Sequence, residues 1–194
     1  TSPTGTFSPM GKSKPGSCGI PLPNIVIKLL SLEDPTKYVG PGEKGEMCIQ
    51  GPNIMKGYWK KPDATADITT ADGFMRTGDV GYMDEDGFVY LDARIKRMII
   101  RHDGFKVFPS MIENVISRHP AVHQCSVVGC TDKDHVQGRL PFVYVVLDPE
   151  GDKKKRQIVR ELRQLCNEEL PEYVQPVGYK FISEMPFTPV GKVD

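Results

Sequence analysis

The chain has 194 residues, enough for one large or two small domains. Its 25 Lys and Arg balance its 25 Asp and Glu, so no field of one sign recruits nucleic acid or an anionic membrane. The longest apolar run, Phe142–Leu147, suits a buried strand and falls far short of a membrane span.

No signal-like segment opens the chain, and its first stretch, to about Lys14, is a Thr/Ser/Pro/Gly loop without period. Gly5 to Gly11-Lys12-Ser13 imitates a phosphate-binding loop, but five residues intervene where four are needed and no apolar strand precedes it. Val26–Leu30 and Glu46–Gln50 read as strands, with a Gly/Pro turn cluster between them at Lys37–Gly45. Asp84-Glu85-Asp86-Gly87 predicts a hairpin turn into a strand over Gly87–Leu91, since Asp-Gly tolerates positive φ. The same four residues lack the later ligands of a calcium loop.

Beyond about Asp92 the pattern changes. Ile95–Arg101 is β-branched and basic. Ser110 and Glu113 have the spacing of a capping box, followed by a helical face of Ile112, Val115 and Ile116. Val122–Val128 and Pro141–Leu147 read as strands. Asp152 to Leu170 predicts the clearest helix, with an apolar stripe of Ile158, Val159, Leu162, Leu165 and Cys166 and a basic opposite face. Tyr179–Ile182 is a last strand. The expected fold class is α+β: a β-rich, distorted barrel-like subdomain over residues 1–92, then a small α/β lobe over 93–194 with a three-stranded sheet and packed helices.

Five cysteines (Cys18, Cys48, Cys125, Cys130, Cys166) are odd in number and irregularly spaced, which favours reduced thiols and a cytoplasmic protein. The four histidines are scattered with no ligand spacing, so no metal site is expected; His102 and Asp103 receive no role.

Two segments carry the chemistry. Arg76-Thr77-Gly78-Asp79 places a carboxylate on a tight turn between strand-like runs; such a group can accept hydrogen bonds from both hydroxyls of a ribose. The plain alternative is a turn aspartate capping its own backbone. Pro189-Val190-Gly191-Lys192 places one ammonium beside a glycine, able to meet a phosphate; the alternative is a mobile charge. Arg94 and Lys96 would share one face of a strand, as site residues or as a solvated edge. Gly104 is a turn glycine with expected φ above zero.

Taken together, Asp72-Gly73-Phe74-Met75-Arg76-Thr77-Gly78-Asp79, Arg94-Ile95-Lys96, Gly104-Phe105-Lys106-Val107-Phe108-Pro109 and Pro186-Phe187-Thr188-Pro189-Val190-Gly191-Lys192-Val193-Asp194 resemble motifs of the adenylate-forming enzyme superfamily. The superfamily includes acyl-CoA synthetases, peptide-synthetase adenylation domains and firefly luciferase. Lys14-Pro15-Gly16-Ser17-Cys18-Gly19-Ile20-Pro21-Leu22-Pro23 is similar to a further family element. The resemblance implies that Asp79 and Arg94 bind the ribose side of ATP, and that Lys96 is a hinge. It implies that Gly104 lines the coenzyme A pantetheine channel, and that Lys192 is the catalytic cation of adenylation. It further implies ATP, Mg2+ and coenzyme A as cofactors, a small carboxylic acid as substrate, and a missing N-terminal lobe as the chain's partner.

That lobe would carry the phosphate loop and most of the acyl pocket, so the chain alone is expected to be inactive. Lys96 is similar to the residue in CoA ligases; peptide-synthetase domains usually carry aspartate there. An adenylation domain loading a carrier protein, and a non-catalytic binding module, stand as alternatives. Fatty, aryl and short-chain acids all stay open.

Overall fold

A computed structural model of the chain describes residues 4–148 and 154–187. Its internal contacts divide it into two units, Thr1–Lys96 and Arg97–Asp194. In the first, β1 (Thr6–Phe7) pairs antiparallel with β2 (Ile20–Pro21). The main layer is a five-stranded antiparallel sheet of β3 (Val26–Ser31), β4 (Tyr38–Val39), β5 (Gly45–Gln50), β6 (Met75–Met83) and β7 (Val89–Arg94), in the order β4-β3-β5-β6-β7. A short helix, α1 (Pro62–Ala66), lies between β5 and β6 in sequence and opens on proline, whose fixed φ suits a first helical turn.

One face of this sheet buries Ile27, Leu29, Met47, Ile49 and Val89. Strand alternation puts Leu30 and Cys48 elsewhere, in a small cluster with Phe74. The β6–β7 hairpin turns where the Asp-Gly pair predicts. Gly87 has φ +83°, its N–H reaches the Asp84 carbonyl at 3.0 Å, and Asp84 Oδ1 accepts the amides of Asp86 and Phe88. Lys14 Nζ meets Asp84 and Asp86, each at 2.6 Å, and pins the first loop to this turn.

In the second unit, β8 (Ile99–Ile100) and β9 (Lys106–Val107) form a small ribbon ahead of α2 (Pro109–Ile116). The principal sheet has the order β10-β11-β12, made of β10 (Val122–Thr131), β11 (Arg139–Leu147) and, after α3 (Lys155–Glu169), β12 (Gly178–Phe181). β10 and β11 are antiparallel; β11 and β12 are parallel, with α3 in the connection between them. Ile158, Leu162 and Cys166 recur every four residues along α3 and are buried with Ile112, Val115 and Ile116 of α2 against Val127, Val143 and Val145. Val159 and Leu165 of the expected stripe lie at its half-exposed margin.

Two local expectations are corrected. The capping box at Ser110 and Glu113 does not form: Pro109 begins α2, Phe108 is the N-cap, and no side chain caps the helix. Glu113 instead accepts the Val127 amide at 2.9 Å and Arg97 Nη2 at 2.5 Å, tying α2 to β10. The Arg94–Lys96 stretch is not one strand either. β7 stops at Arg94, and Ile95–Arg97 forms a single 3-10 turn before β8, so Lys96 leaves the alternation. α3 is described from Lys155; the first residues of the expected helix, through 153, lie outside the described residues.

Candidate functional site

Asp79 sits inside β6, not on a turn between strands. Glu46 of β5 pairs with Val80 and Cys48 pairs with Arg76, so residues 77–79 face Met47 alone. This bulge pushes Thr77-Gly78-Asp79 out of the ladder, and Gly78 takes φ +74° within it. Thr77 Oγ1 donates to the Met47 carbonyl at 2.9 Å and accepts the Asp79 amide at 3.0 Å. The bulge is thus bonded at both ends by its own threonine.

Beneath the bulge lies a residue to which the sequence reading assigned no role. Glu46 is 4% exposed. Its Oε2 accepts Arg76 Nε at 2.8 Å and Nη2 at 2.6 Å, while Oε1 accepts the Gly78 amide at 3.1 Å. A buried carboxylate with both oxygens occupied by charge-assisted or backbone donors is a fixed point. The signal available in sequence was a glutamate inside an otherwise strand-like run, Glu46–Gln50.

Asp79 and Arg94 are direct partners across β6 and β7, and Arg94 Nε lies 2.7 Å from Asp79 Oδ1. Arg94 Nη1 also donates to the Thr77 carbonyl at 3.2 Å. Burial raises the Asp79 pKa and outweighs the opposing pull of Arg94. The balance follows from exposure: Arg94 is 59% exposed, so water screens its charge, while Asp79 is 23% exposed. The pair lies in a depression of about 390 Å³ whose walls include Tyr58, Met47, Leu91 and Thr77. A half-buried carboxylate can accept from a diol while the exposed guanidinium beside it donates to a neighbouring oxygen anion.

Lys96 is exposed in the 3-10 turn that ends the first unit. Gly104 belongs to the second unit, at φ +83° in a turn closed by the Gly104 amide on the Arg101 carbonyl at 3.0 Å. A side chain at Gly104 would meet nothing within 4 Å, so its surroundings are open and its φ alone selects glycine. Lys192 lies outside the described residues. The structure therefore brings together Asp79 and Arg94, and adds Thr77, Glu46 and Arg76 to them.

The chain belongs to the superfamily of adenylate-forming enzymes. The AMP-binding enzyme family matches residues 1–59 and the AMP-binding enzyme C-terminal domain matches residues 111–192. A long-chain-fatty-acid–CoA ligase of Bacillus subtilis is 38% identical over 183 residues, 94% of this chain and 31% of the ligase. A probable 4-coumarate–CoA ligase 2 of Dictyostelium discoideum is 36% identical over 201 residues, 99% of this chain and 34% of that protein. The chain thus spans about a third of the length of these relatives. Among solved structures, ATP-bound MatB from Rhodopseudomonas palustris superposes with a TM-score of 0.83 at 30% identity, covering 95% of this chain and 35% of MatB. The anthranilate CoA ligase AuaEII with anthranoyl-AMP gives 0.81 at 28% identity, covering 96% and 35%.

Proposed function

We propose that this chain supplies the ribose-binding bulge and the C-terminal lobe of an AMP-forming acid–thiol ligase. In that reading a carboxylic acid is activated as its adenylate and then passed to the thiol of coenzyme A. The observation that carries it is the Asp79–Arg94 pair at 2.7 Å, both residues lining an open depression. The residues fit a nucleotide sugar: Asp79 offers acceptors, Arg94 offers donors, and the Glu46–Gly78 bond holds the bulge in place.

ATP as its Mg2+ complex supplies the phosphoryl leaving group, and coenzyme A the thiol. Within this chain, Asp79 accepts the ribose hydroxyls and Arg94 follows it by an exposed, adaptable contact. Lys96, in the turn at the unit boundary, absorbs a backbone change between the two half-reactions. Lys192 is proposed, on the resemblance alone, as a cation that offsets charge when a carboxylate approaches a phosphate. The turn at Gly104, open on its outer side, is proposed to border the thiol's path. The reaction requires the rest of a ligase, since this chain covers about a third of its relatives.

The test is ATP–pyrophosphate exchange by a protein that contains this chain and the remaining ligase length. Long-chain fatty, 4-coumaric, anthranilic and short-chain acids are supplied in turn. Exchange dependent on one acid class, lowered at least about tenfold in kcat/KM for ATP by Asp79→Asn, supports the reading. Acid-dependent exchange untouched by Asp79→Asn removes the ribose role.

A further inference from the structure

Outside the nucleotide site, the second unit gathers three metal-ligating side chains that lie far apart in sequence. His102 sits in the turn between β8 and β9, and Asp132 and His135 in the loop after β10. The two imidazole rings stack with centroids 3.6 Å apart and planes 4° from parallel. Both face one carboxylate: Asp132 Oδ2 lies 3.1 Å from His135 Nδ1 and 3.4 Å from His102 Nδ1. One ligand atom from each residue lies within 4.8 Å of the other two. The scattered spacing of the histidines hid this grouping, which the fold creates.

We propose that His102, Asp132 and His135 bind one divalent transition-metal ion of the zinc class, which staples the Gly104 turn to the β10–β11 loop. Four features argue for it. The donor set, two imidazoles and one carboxylate, suits zinc and its first-row neighbours, not magnesium or calcium. Ligand atoms around a tetrahedral zinc with bonds of about 2.0–2.1 Å stand about 3.4 Å apart, the spacing that Asp132 Oδ2 already has to both rings. Asp132 is 4% exposed and held from behind, because its Oδ1 accepts the Asp134 amide at 3.0 Å and so turns Oδ2 to the histidines. Finally, the two loops are shaped to meet. A Cβ at Gly138 would lie 2.6 Å from the His102 backbone nitrogen, so only glycine there lets the loops close.

Parallel rings aim their in-plane lone pairs side by side, so uptake of the ion turns one of them. His135, 48% exposed on its loop, has the room. Three protein ligands leave a fourth position for water.

The experiment uses the full, untagged chain, stripped with a chelator and titrated at neutral pH. Zinc is measured by competition with a chromophoric chelator and by thermal unfolding; cobalt is followed by its absorption. The expected result is one equivalent of metal, a raised Tm, and visible cobalt bands without thiolate charge transfer. His102→Ala and His135→Ala should each weaken binding about tenfold or more and abolish the Tm rise. His123→Ala, which removes a histidine paired with Asp148 elsewhere on the sheet, should change neither. Three results would each overturn the proposal. They are unchanged affinity in the His102→Ala/His135→Ala double variant, a thiolate band that places the metal on cysteine, and no uptake at millimolar metal. Because both histidines are exposed, their variants should fold; an unchanged metal-free Tm checks it.

Discussion

Glu46 and Gly78 are joined by a 3.1 Å bond from the glycine amide to a carboxylate oxygen buried one strand away. A charge in β5 thereby fixes the backbone from which Asp79 projects. Glu46→Ala should cost about 2–3 kcal/mol of unfolding free energy, because it strands the Arg76 guanidinium and an amide. The lower end is expected since the Arg76 side chain is 37% exposed and keeps water. Urea unfolding of the two proteins measures this; a change under about 0.5 kcal/mol, no more than an ordinary surface substitution, would refute the anchoring role.

The two glycines of Thr77-Gly78-Asp79-Val80-Gly81 are required for different reasons. At Gly78 a Cβ meets nothing within 4 Å, so Gly78→Ala should cost only the strain of φ +74°, about 1–2 kcal/mol. At Gly81 a Cβ would lie 2.0 Å from the Tyr90 carbonyl oxygen, inside the β6–β7 pairing. Gly81→Ala should therefore cost more than Gly78→Ala, and amide exchange should show the β6–β7 hydrogen bonds opening in the first variant only.

Asp79 carries a pH signature. Burial raises its pKa above the ordinary 3.8, so between those two values the folded chain keeps a proton that the unfolded chain releases. Stability from this group is full below 3.8 and is lost as pH rises through the raised value. Asp79→Asn lacks that titration. Over this acidic window the unfolding free energy of the Asn variant should gain on the native chain as pH rises. A gap between the two that stays constant with pH would contradict the raised value.

Cys48 gives the alkaline counterpart. It is 0% exposed, and burial pushes its thiol up to about 12. The unfolded thiol ionises near 9 while the folded one holds its proton, so stability should fall as pH rises from about 9 toward 12. In the native chain at mildly alkaline pH, iodoacetamide should modify the partly exposed Cys18 and Cys130 and spare Cys48 and Cys166, as read by peptide mass spectrometry. Equal labelling of Cys48 and Cys18 would show that the β5 core opens readily.

Much of this was legible locally. The strand-like runs Val26–Leu30 and Glu46–Gln50, the Asp-Gly hairpin turn and the stripe of Ile158, Leu162 and Cys166 are short-range signals, and each appears where those residues place it. The position of Asp79 was not legible, because a bulge depends on how β6 registers against β5 and leaves no mark in its own residues. Glu46 was overlooked since its partners, Arg76 and Gly78, lie 30 and 32 residues away in sequence. The capping box failed because Pro109, pre-set for a first helical turn, moved the start of α2 ahead of Ser110.

The turn bearing Gly104 is lashed down at its flanks. Phe105 stacks on Tyr173 with ring centroids 4.5 Å apart, and Arg101 donates to the Tyr173 carbonyl at 3.2 Å while also holding Asp103 at 2.9 Å. Such a turn does not flap. To displace the turn from Tyr173 would break a ring stack and the Arg101 bond to the Tyr173 carbonyl, so the turn and the segment after α3 are held as one piece.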